Sequence, residues 1–146
     1  MFDQTFEATI VSVTPKCVFD KDDTPRRITE VVLGTEFDDN LAAGLGEVGK
    51  DTLKYLKSRD TKDGLILLDA ATAKGAFEVG GKKHKCDVVC SKAKAAAPAK
   101  EDNSPTIRIH FSFATNANDL LFFVDGIAQP ARVKLQRVQQ QIPGTD

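Results

Sequence analysis

Two adjacent glycines, Gly80 and Gly81, lie between two runs that can each extend, in the stretch A-T-A-K-G-A-F-E-V-G-G-K-K-H-K-C-D-V-V-C-S from Ala71 to Ser91. A Gly-Gly pair supplies the positive φ angles of a two-residue hairpin turn without a Cβ penalty. With these residues as the turn, the register is set. Val79 faces Lys82, Glu78 faces Lys83, Phe77 faces His84, Ala76 faces Lys85, Gly75 faces Cys86 and Lys74 faces Asp87. Glu78–Lys83 and Lys74–Asp87 then become opposite-sign pairs on one face. The other face carries Ala73, Phe77, Val79, His84, Cys86, Val88 and Cys90, and is mostly apolar. A slip of one residue would turn Phe77, Cys86 and Cys90 to water. The hairpin is therefore expected at the centre of a single sheet.

The rest of the chain supplies further strands. Phe6 to Val13 is β-rich, with Phe6, Ala8 and Ile10 on one face, and Cys17 to Asp20 can continue it up to the turn D-K-D-D-T-P. Arg27 to Phe37 is dense in β-branched residues and reads as its hairpin partner. Leu65 to Leu68 is a short apolar strand after a polar turn at Asp60–Gly64. Thr106 to Ala114 alternates cleanly, with Ile107, Ile109, Phe111 and Phe113 inward and Arg108, His110 and Ser112 outward. Ala131 to Val138 is a last strand with Ala131, Val133 and Leu135 inward. The segment from Lys92 to Pro105, rich in alanine and lysine, reads as a mobile surface loop, and Gln139 to Asp146 as a frayed tail.

Two helices are expected, over roughly 40–58 and 118–125. Asp38 or Asp39 can cap the first, where Leu41, Leu45, Val48, Leu53 and Leu56 make one stripe. Gly44, Gly46 and Gly49 weaken its first half, at about 1 kcal/mol each relative to alanine. That helix either starts late, near Glu47, or breaks in two. The second, capped by Asn118, carries Leu120 to Val124, a cluster too apolar for one stripe and expected to be largely buried or covered by a partner. These elements make the chain, over residues 1–146, a single α+β domain. Its core is a mainly antiparallel, twisted sheet or partly open barrel of about seven strands.

Several chemistries are excluded by pattern. G-L-G-E-V-G matches the dinucleotide fingerprint in letters, but capped helix intervenes where a strand must end. Asp20, Asp22 and Asp23 resemble the start of a calcium loop, yet Pro25 stands where that loop needs glycine. His84, Cys86 and Cys90 share a strand face, but residues 86 and 90 are ~13 Å apart on a straight strand. That span is too wide for one zinc ion, whose bonds to sulfur are about 2.3 Å. No metal or other cofactor is expected. The protease and Walker patterns are absent, so the chain is read as a non-enzyme.

Charge is unevenly spread. Residues 1–81 hold 10 basic and 15 acidic side chains, whereas residues 82–146 hold 10 basic and 6 acidic. The ten basic residues of that second part are Lys82, Lys83, Lys85, Lys92, Lys94, Lys100, Arg108, Arg132, Lys134 and Arg137, and they are the candidate partner-binding residues. If their strands are neighbours they line one basic face, the footprint of a single-stranded nucleic-acid binder. The aromatic stacking platform of such proteins is missing, because Phe77, Phe111 and Phe113 alternate inward. A non-catalytic binding or assembly protein, engaging a protein partner or itself, is the first expectation and nucleic-acid binding the alternative. A small zinc-binding or enzymatic domain comes third.

No apolar run approaches the roughly 20 residues of a membrane span, and M-F-D-Q-T-F-E shows no secretory signal. Three cysteines at irregular spacing argue against a disulfide framework. A reducing, cytoplasmic setting without a membrane partner is expected. The segments D-D-N-L-A-A-G-L-G-E-V-G-K-D-T-L-K-Y-L-K and L-F-F-V-D-G-I-A-Q-P-A-R-V-K-L resemble stretches of small accessory proteins of tailed bacteriophages. That resemblance carries no functional residue across. It implies a viral protein that binds a host or phage macromolecule.

Overall fold

A computed structural model of the chain describes residues 4–58, 63–67, 72–97 and 106–137. The glycine pair does reverse the chain: Gly80 and Gly81 have φ of 57° and 82°. The strands they join, β4 (Thr72–Val79) and β5 (Lys82–Ala96), pair in the register expected, from Val79–Lys82 back to Lys74–Asp87. The two cross-strand charge pairs face each other without closing to an ion pair among the described residues.

The first hairpin is longer than the sequence suggested. β1 (Gln4–Phe19) pairs with β2 (Pro25–Glu36) as far as Phe19–Pro25. Its turn is held by the Asp20 carboxylate, which accepts the Asp22 and Thr24 N–H groups at 2.9 Å each. That carboxylate is spent on its own backbone, as a turn residue's usually is. β6 (Arg108–Asn116) and β7 (Pro130–Arg137) complete the ladder, and β3 (Asp63–Leu67) adds to β5.

All pairings are antiparallel, in the order β3-β5-β4-β7-β1-β2-β6, and a further pairing of β5 with β6 bends the sheet into a ring. β5 makes this closure because it is long. Its first half pairs with β4, while Val89 to Ala96 pairs with β6. A register shift between Cys90 and Lys92 changes the alternation at that point. Inward residues run Val88, Cys90, then Ala93 and Ala95. Such a bulge bends a strand and increases its twist.

Residues 92–96 are thus strand rather than the expected surface loop. In K-A-K-A-A the lysines stay wet while the alanine methyls fit a tight interior, so alternation prevails over weak β propensity. The remainder of that loop, residues 98–105, the Asp60–Gly64 turn up to residue 62, Leu68, Val138 and the 139–146 tail lie outside the described residues.

The ring encloses Ile10, Leu33, Val88, Ile109, Phe111, Phe113, Val133 and Leu135, all fully buried. The first helical segment is broken into α1 (Asp39–Gly44) and α2 (Gly46–Lys57), with Gly46 at φ 77°. Asp38 caps α1 through the Leu41 N–H at 2.8 Å. The break rotates the expected stripe: Leu41, Leu53 and Leu56 are buried, whereas Val48 is exposed. Gly49 takes the contact position instead. A Cβ there would lie 2.5 Å from Leu45 Cβ and 2.6 Å from Ala42 O, so only glycine lets α2 approach α1 this closely. α2 packs on β3. After β6, a single 3₁₀ turn (Ala117–Asp119) leads into α3 (Leu120–Asp125), which packs on β1.

Of the apolar cluster on α3 only Phe123 is fully buried, edge-on to Phe77 at 5.0 Å. Leu121 is 74% exposed, and Val124 and Ile127 are also at the surface. A helix of six residues can turn only one narrow stripe inward. The expectation of a largely buried cluster therefore fails. Among the described residues no helix is long and apolar enough to cross a membrane.

Candidate functional site

On the outside of the ring, β5, β4 and β7 lie side by side, and their outward residues fall into rows. Lys83, Glu78 and Arg132 form one row, in which each cation has an acidic neighbour, and Arg132 also reaches Glu7 at 3.6 Å. Asp87, Lys74 and Gln136 form another. The row between them is Lys85, Ala76 and Lys134, two lysines flanking a methyl group. With strands about 4.8 Å apart, the two lysine stems rise ~10 Å from each other over a low floor. Lys74, Lys85 and Lys134 are exposed and have no ion-pair partner among the described residues.

These three lysines line a cleft of about 550 Å³ together with Asp87, Cys86, Asn118 and Asp119. Asp119 is placed by the chain reversal after β6. Its Oδ2 accepts the Asn116 N–H at 3.2 Å, so the helical turn is capped from Asn116 and not from Asn118. Its Oδ1 lies 2.7 Å from His84 Nε2. His84 in turn stacks on Phe122 (centroids 4.6 Å apart, planes at 20°) and meets Phe123 edge-on at 6.1 Å. The imidazole is thus held on two sides. Burial pushes the Cys86 thiol up to about 12, with the nearby charges of Asp119 and then Asp87 adding to the effect. A thiol so protonated is a poor nucleophile.

Among the described residues, the basic side chains expected at a partner surface do not make one continuous face. Lys83, Lys85, Arg132 and Lys134 come together, joined by Lys74, which from sequence is expected only as the partner of Asp87. Lys92, Lys94 and Arg108 form a second group farther along β5, beside β6, where Lys94 faces His110 and Arg108 faces Ala96. Lys82 lies at the hairpin end and lines a smaller hollow, of about 280 Å³, with Phe122 and Asp125. Arg137 ends β7 opposite Ala73, and Lys100 lies outside the described residues.

The candidate metal trio is also rearranged. His84 and Cys86 stay close, but Cys90 is fully buried beyond them, its thiol donating to the Lys92 carbonyl at 3.6 Å. Asp119 takes its place: one donor atom each from His84, Cys86 and Asp119 all lie within 4.8 Å of one another. The only sequence signal for Asp119 was its spacing from Asn116, N-x-x-D, which suits a helix start. Comparison with known protein families, curated proteins and solved structures finds no match.

Proposed function

We propose that this protein is a non-catalytic binding protein that takes an acidic segment of a partner protein into the cleft walled by Lys74, Lys85 and Lys134. The observation that carries the reading is the uncompensated Lys85–Ala76–Lys134 row. Like charges held at this spacing repel each other, and a carboxylate lying over Ala76 relieves that repulsion while reaching both ammonium groups. The bordering rows contain Glu78 and Asp87, so the positive strip is short. That length suits a few carboxylates better than a tracked phosphate backbone. The aromatic rings point the same way. Phe77, Phe111 and Phe113 are inside, and the exposed Phe19 and Tyr55 stand at the end of β1 and on α2, outside the lysine rows.

The test is fluorescence anisotropy with a labelled oligoglutamate peptide and a labelled single-stranded oligodeoxynucleotide, at about 50 mM salt. The peptide is expected to bind, and Lys85→Glu/Lys134→Glu to weaken it at least about tenfold, or 1.4 kcal/mol. Equal binding by the double variant, or no binding, overturns the proposal. Binding of the oligonucleotide alone, with a steep salt dependence, replaces it with the nucleic-acid reading.

A further inference from the structure

We propose that His84, Cys86 and Asp119 form a binding site for a divalent cation of zinc's class, with its fourth coordination position open to the cleft. The donor set is imidazole, thiol and carboxylate, the mixture that zinc accepts, and three protein ligands leave one position free. Their donor atoms already lie within 4.8 Å of one another. Around a tetrahedral ion with bonds of about 2.0–2.3 Å, donors sit ~3.3–3.6 Å apart. For an ion to bind, the His84–Asp119 contact must widen from its present 2.7 Å and the thiol must close in.

Two of the three ligands are oriented from behind, as metal ligands generally are. Phe122 and Phe123 hold the His84 ring, and the Asn116 N–H holds the other oxygen of Asp119. Charge balances as well. On binding, Cys86 gives its thiol proton to solvent as the sulfur–metal bond forms, and the thiolate and the Asp119 carboxylate together neutralise the dication. Cys86 and Asp119 both line the cleft, which gives an ion a path in and leaves the fourth position to water or to an incoming anionic group. None of its ligands is a lysine, so the site stands apart from the proposed acidic-segment contact.

Chelator-treated full-length protein titrated with Co²⁺, and then with Zn²⁺, tests this. The expected result is one equivalent of Co²⁺ with a thiolate-to-cobalt charge-transfer absorption, displaced by Zn²⁺. Cys17→Ser and Cys90→Ala keep that absorption and Cys86→Ser abolishes it. His84→Gln, which leaves the thiol in place, lowers affinity at least about tenfold and serves as the deciding variant if Cys86→Ser unfolds. No cobalt–thiolate absorption in the wild type, its survival in folded Cys86→Ser, or unchanged affinity in His84→Gln overturns the proposal.

Discussion

His84 on β5 and Asp119 at the start of the α3 turn are 35 residues apart in sequence, and their side chains meet at 2.7 Å, part-buried. The same carboxylate accepts the Asn116 N–H, so one side chain both starts the helical turn and ties it to the central hairpin. Asp119→Ala removes both bonds and leaves the imidazole without its partner. The expected cost is about 1–3 kcal/mol, read as a lower midpoint in urea with an unchanged slope.

Gly49 provides a test in which two effects oppose each other. Alanine gains about 1 kcal/mol of helix propensity over glycine in an exposed helix interior. Here its Cβ would lie 2.5 Å from Leu45 Cβ and 2.6 Å from the Ala42 carbonyl oxygen. Overpacking of this kind costs about 1–3 kcal/mol. Gly49→Ala is therefore expected to destabilise the protein on thermal denaturation.

Cys90 links stability to pH. Burial raises its thiol from 9.0 to about 12 in the folded protein. The unfolded chain releases this proton near its ordinary value, while the folded chain keeps it until about 12. Stability is therefore whole below pH 9 and declines as pH rises toward 12. Cys90→Ala should lose stability less steeply than the wild type when urea midpoints are compared between about pH 8 and 10.5. Parallel curves would contradict the assignment.

The parts of the fold that could be read from sequence were those with a local cause. Gly80-Gly81 set a turn, the turn set a register, and the register placed Phe77 inward. The alternation of Ile107, Ile109, Phe111 and Phe113 was equally plain, and all four are buried. Residues 92–96 were hidden because alanine and lysine carry no strand signal, and the bulge after Cys90 resets the alternation without any glycine to mark it. Asp119 was missed as a neighbour of His84 and Cys86 because nothing local links residues so far apart; the closed ring brings them together. The lysine rows were half legible. The basic residues were visible, but Lys74 entered the site only through the pairing of β4 with β7.

The central claim is that the Lys85–Ala76–Lys134 row binds a partner's acidic segment, and a ¹⁵N-correlated NMR titration with oligoglutamate tests it most directly. Amide shifts should concentrate at Lys74, Gly75, Ala76, Lys85 and Lys134. Shifts confined to the surface around the exposed Leu121, Val124 and Ile127, or none at saturating peptide, would contradict it.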